Sequence, residues 1–134
     1  MSNAAKEIFR LAAQGYCCSQ IMVKMGLEAR QGENQELLDA VAGLCGGLHS
    51  GLCCGILTGA ACLLSLYDKQ NAAIYMIPRL VEWFETTYTS SYGGISCKDI
   101  IDNNPINKFD RCPKVMEETM EKCRELLTEF GYEI

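Results

Sequence analysis

The sequence predicts an all-α fold: a single compact bundle of about six or seven helices around a buried central helix at about residues 52–67. Three observations predict it. Apolar residues recur at helical intervals in segment after segment, with no alternating run that would read as a strand. Glycine, proline and capping residues fall between these segments, where helices should begin and end. Residues 52–67 are almost uniformly apolar, as expected of a helix covered on every side.

The first helix is expected over residues 4–13, with Ile8, Leu11 and Ala12 on one face and Gly15 as its break. A second runs over about residues 17–25, where Gly26 stops it. Residues 28–34 are polar and read as a loop or short turn. Residues 35–44 form a third helix with Leu37, Leu38, Val41 and Leu44 as its stripe. Residues 45–51 then make an irregular connection into the central helix. Asp68 and Asn71 can cap a long helix over about residues 69–91. Pro78 should kink or split it, since proline lacks the N–H that the helical ladder needs. Tyr92-Gly93-Gly94 is a turn. Ser96-Cys97-Lys98-Asp99 opens a brief helix to Ile101. After a loop, Cys112-Pro113 begins the last helix, because proline suits the first helical position. Its stripe is Met116, Met120, Cys123, Leu127 and Phe130, and Gly131 ends it.

A chain of 134 residues fits one domain, residues 1–134, and 49% apolar residues suffice for a core. The net charge of −5 and the lack of a basic patch argue against nucleic acid and anionic membrane as partners. No run approaches the ~18 apolar residues of a membrane span. The first residues lack the basic start and apolar core of a secretory signal. A cytoplasmic protein is therefore expected, with its thiols reduced. No Ser-His-Asp set, phosphate-binding loop or metal-site spacing of carboxylates is present.

Nine cysteines stand out. Four of them, Cys18, Cys54, Cys97 and Cys112, fall where helices are expected to begin. A thiol there meets unpaired N–H groups and the positive end of the helix dipole. A shift of one pKa unit corresponds to ~1.36 kcal/mol. Such a thiol could fall from ~8.5 to about 7 and become half thiolate at neutral pH. Lys98, Arg111 and Lys114 are near enough in sequence to help. Cys54 is the expected strongest nucleophile, because Gly55 leaves room for approach.

If the four meet, thiolates ~4 Å apart would repel by about 1–4 kcal/mol. Retained protons or disulfides would relieve this in a dithiol redox site. A metal would relieve it in a zinc or iron–sulfur site using the same four sulfurs. Spacing does not choose between them. The absence of a C-x-x-C pair argues against zinc-ribbon, thioredoxin-type and ferredoxin-type sites.

Gly51, Gly55 and Gly59 recur every four residues. On one helix they would make a bare stripe for a second backbone or for a flat ligand, with Gly55 and Gly59 as close-approach positions. Cys62 and Cys123 read as core. Cys45 could be core or join the site. Cys17 and Cys53 are spare thiols beside it, or could form strained bonds with their neighbours Cys18 and Cys54. His49 could be a ligand or proton shuttle, or simply a solvated loop residue. Tyr75, Trp83, Phe84 and Tyr88 recur at helical intervals, as core or as the face of a homodimer.

At the four cysteines the chain resembles a small bacterial and archaeal family of redox-active proteins with four signature cysteines. Their pattern is an early cysteine, a C-G-A-x-x-G motif and two later cysteines. Cys54-Gly55-Ile56-Leu57-Thr58-Gly59 matches the central motif, with Ile56 where the pattern has alanine. Cys18 after Gly15-Tyr16, Cys97 after Gly94-Ile95-Ser96, and Cys112 match the others. The resemblance extends over about residues 4–130. It implies a compact helical protein with a redox role, without naming the reaction or the redox partner. Isoleucine at position 56 would narrow any space that alanine leaves for a ligand.

Overall fold

Apolar positions spaced three and four apart fold into helices throughout the computed structural model, which describes residues 2–134. The expected all-α class holds. Among the described residues no strand forms, and the only β-type pairing is an isolated antiparallel bridge between Cys53 and Ser96.

Helix α1 (Asn3–Ala13) begins at Ser2, whose Oγ accepts the Ala5 N–H at 3.1 Å. It buries Ile8 and Leu11, while Ala12 faces solvent because the covered face is narrower than expected. Helix α2 (Cys18–Ala29) continues past Gly26. That glycine is a contact rather than a stop. A Cβ there would lie 2.7 Å from Leu63 Cγ, and its carbonyl accepts the Tyr67 hydroxyl at 2.7 Å. Helix α3 (Gln35–Val41) starts at an Asn34 cap and tightens into a 3₁₀ turn over Ala42–Leu44.

Helix α4 (Gly55–Tyr67) starts later than the expected residue 52. The reason is a tertiary pairing: Leu52 O accepts the Cys97 N–H at 2.6 Å and Cys53 bridges Ser96, so residues 52–53 stay out of the helix. Gly51 therefore leaves the proposed stripe and adopts φ +73° in the loop. Gly55 and Gly59 remain on α4 and serve helix packing. A Cβ on Gly59 would lie 2.8 Å from Ser19 Cα.

After α4, Asp68 caps a single turn, Lys69–Asn71, which runs into a π turn over Ala72–Met76. The Ile77 N–H reaches back to Ala72 O, and helix α5 (Ile77–Tyr92) begins with Pro78 in its first turn. The widened turn absorbs the proline, as expected for a split helix. Gly93, at φ +79°, ends α5.

Helix α6 (Cys97–Ile101) begins at Ser96, whose Oγ accepts the Asp99 N–H at 3.1 Å. Helix α7 (Asn107–Glu129) starts more than a turn before Cys112, which overturns the expectation that Cys112-Pro113 opens it. The extra turn is anchored to α6: Asn107 Nδ2 donates to Ile101 O and Arg111 Nη1 to Ile100 O, each at 2.8 Å. Pro113 removes a single ladder bond there.

Helix α4 is central, as expected. Ile56, Leu57, Ala60, Leu63 and Leu64 are buried among Met22 and Met25 of α2, Leu80 and Phe84 of α5, and Met120 and Cys123 of α7. Val23, Leu27, Leu38 and Val41 form a smaller cluster between α2 and α3. Phe84 and Tyr88 belong to the core, Trp83 is half-buried and Tyr75 is exposed. Among the described residues no helix is long and apolar enough to cross a membrane.

Candidate functional site

The start of α2, the start of α4, the start of α6 and the second turn of α7 bring Cys18, Cys54, Cys97 and Cys112 into one region. Cys18 and Cys97 are first residues of their helices, and Cys54 is the residue before α4. Cys112 lies inside α7 and so gains nothing from a helix start.

Electrostatics ties the four together. Burial raises the Cys18 thiol, and a charge on Cys97 raises it further, against the N–H groups of Gly46, Ser19 and Cys18 itself. Burial pushes Cys54 up to about 12. The Ile56 and Leu57 N–H groups act the other way, and charges on Cys18 and Cys112 add to the rise. Burial also pushes Cys112 up to about 11, with charges on Cys18 and Cys97 adding and Lys108 opposing. Cys18 is thus coupled to each of the other three.

At Cys18, Cys54 and Cys112 this corrects the expectation of half-ionised thiolates. At Cys54 the helix N–H groups do favour the anion, but removal from water outweighs them. Cys54 is 4% exposed, and both its burial and its raised thiol weigh against the strong nucleophile expected there. The cations differ as well. Lys108 acts on Cys112, whereas Arg111 stacks over the Tyr92 ring and Lys98 packs on Gly51.

Gly55 fixes the spacing of the cluster. A Cβ there would lie 2.7 Å from Cys18 Sγ, 2.9 Å from Leu44 O and 3.3 Å from Cys45 Cα. The space that Gly55 and Gly59 leave is therefore filled by the chain's own atoms, with no room there for the flat ligand considered above. Gly47, at φ +62°, is equally tight: its Cβ would lie 2.5 Å from Leu52 N and 2.8 Å from Cys97 Cβ. The glycine-rich loop thus presses directly on the start of α6.

Sequence reasoning left Cys45 as core or a member of the site and expected Cys17 to be a spare, reduced thiol or bonded to its neighbour, which the structure overturns. The structure joins Cys45 to Cys17 in a disulfide, with Cα atoms 6.1 Å apart. No vicinal bond forms, and Cys18, Cys53 and Cys54 are free thiols. Cys53 is exposed, while Cys123 is buried in the core as expected and Cys62 is half-buried on α4. His49 is exposed, and its Nε2 donates to Ala42 O at 2.9 Å, as a loop histidine. Among the described residues no three Cys, His, Asp or Glu side chains converge as metal ligands.

A helical protein that collects coupled thiols around a glycine-bearing helix start belongs to the class built around cysteine chemistry. Residues 16–126 match the family described as "Putative redox-active protein (C_GCAxxG_C_C)", and the chain belongs to that family. No curated protein and no solved structure matches the chain.

Proposed function

We propose that the chain is a thiol–disulfide redox protein in which Cys18, Cys54, Cys97 and Cys112 hold electron pairs as thiols and give them up by forming sulfur–sulfur bonds. The observation that carries this is the position of Cys18, which is electrostatically coupled to each of the other three. In the reduced form, burial keeps the Cys18, Cys54 and Cys112 thiols protonated and avoids repulsion between anions. Oxidation joins two sulfurs and releases two protons and two electrons to an external disulfide. A cytoplasmic setting, where small and protein dithiols are the available partners, suits this chemistry.

The test is oxidation of the purified protein with a mild thiol oxidant, followed by peptide mass spectrometry. The expected result is a disulfide between two of the four residues, with Cys62 and Cys123 still free. Free thiols at all four, under conditions that oxidise glutathione, would overturn the proposal.

A further inference from the structure

The Cys17–Cys45 disulfide lies outside the family's four cysteines, yet it borders them. Cys17 caps α2 and Cys18 is that helix's first residue, so one end of the bond is adjacent in sequence to the hub of the cluster. Its other end meets the hub in space. Cys18 Sγ and Cys45 Cα both crowd the bare side of Gly55. The N–H groups of Gly46, the residue after Cys45, and of Ser19 interact with the Cys18 sulfur. Ser19 Oγ donates to Val41 O at 2.7 Å and lies 2.8 Å from Cys45 Sγ.

Accessibility is graded across these residues. Cys17, Cys18, Cys97 and Cys112 are half-buried, whereas Cys45 and Cys54 are each 4% exposed.

We infer that Cys17–Cys45 is the relay between the cluster and an external disulfide or dithiol, exchanging through Cys18. This rests on the redox function proposed above. The Cys18 thiol loses its proton and its sulfur attacks Cys45 Sγ. The Cys18–Cys45 bond forms, the Cys17–Cys45 bond breaks, and its electron pair leaves on Cys17, which takes up a proton. Attack falls on Cys45 because a bond between the neighbours Cys17 and Cys18 would be strained. A second cluster thiol then attacks Cys18, leaving a disulfide within the cluster and a thiol on Cys45. Two electrons and two protons have then moved outward to Cys17 and Cys45, which can reduce an external disulfide. The Gly46 and Ser19 N–H groups stabilise the charge on Cys18 during attack. The Ser19 hydroxyl is placed to accept the Cys45 thiol hydrogen afterwards.

The test uses the intact protein with its Cys17–Cys45 bond formed. It is held without oxygen at about pH 8.5, where thiols ionise appreciably, then quenched in acid and alkylated. Fragment mass spectrometry reads which of Cys17 and Cys18 carries the label. The expected result is a shift from label on Cys18 alone to label divided between the two, with a Cys18–Cys45 linkage appearing. Label confined to Cys18 at every time would overturn the relay. A Cys17→Ser variant, treated with a mild thiol oxidant, should pair Cys45 with Cys18; a free Cys45 thiol in it would also overturn the relay. The redox function fails separately, if Cys54, Cys97 and Cys112 stay thiols under a mild thiol oxidant while label still divides between Cys17 and Cys18.

Discussion

Gly55 and Cys18 are in such close contact that a methyl group on residue 55 would sit 2.7 Å from the Cys18 sulfur. One missing Cβ therefore sets how near the start of α2 comes to the start of α4. The Leu44 carbonyl, 2.9 Å from the same point, is backbone and has no rotamer to escape into.

Gly55→Ala should lower stability by about 1–3 kcal/mol through overpacking. This would occur even though alanine is the better helix former by roughly 1 kcal/mol. Urea denaturation of the reduced protein measures the change. A variant as stable as the parent would show that the contact yields without cost.

The disulfide gives a second expectation. Cys17 and Cys45 are 28 residues apart in sequence, and closing a loop of that size restricts the unfolded chain. Reduction should cost about 2–4 kcal/mol. Denaturation midpoints with and without reductant compare the two forms, and the Cys17→Ser/Cys45→Ser variant should show no difference between them. Equal midpoints for the parent would contradict this.

Burial raises Cys54 and Cys123 to about 12 and Cys112 to about 11, from an ordinary 9.0. Above about pH 9 the unfolded chain loses these protons while the folded chain keeps them. Stability is then fully present below about pH 9 and falls as pH rises toward 11 and 12. Each such thiol removes about 1.4 kcal/mol per pH unit in that window. Urea midpoints of the reduced protein between about pH 8 and 10.5 should fall accordingly. A flat profile would show that the thiols are not desolvated.

Ser96 holds the start of α6, and with it Cys97, through the bond from the Asp99 N–H. Ser96→Ala should cost about 0.5–2 kcal/mol and speed alkylation of Cys97 relative to Cys123. Unchanged stability and unchanged labelling would show that the Leu52–Cys97 backbone bond holds α6 by itself.

Local pattern made the helices legible, including the Ser96 cap, the buried α4 and the break around Pro78. It misled where a distant segment decides the outcome. Gly26 looks like a stop until Leu63 is seen against it. Cys112-Pro113 looks like a helix start until α6 supplies side-chain partners for an earlier turn. Four cysteines at or near helix starts pointed to one region of the fold. Their ionisation was misjudged because a helix dipole can be read from neighbouring residues, whereas burial depends on the whole core. Which of nine cysteines would pair could not be read from spacing, since the Cys17–Cys45 contact is made by the loop that follows α3.

The most direct measurement is a redox titration of the intact protein. It would be equilibrated in glutathione buffers from about −180 to −300 mV, trapped by alkylation and read cysteine by cysteine. The account predicts that Cys17, Cys45, Cys18 and at least one of Cys54, Cys97 and Cys112 change state across that range, while Cys62 and Cys123 remain thiols. Cluster cysteines that stay reduced throughout would contradict it.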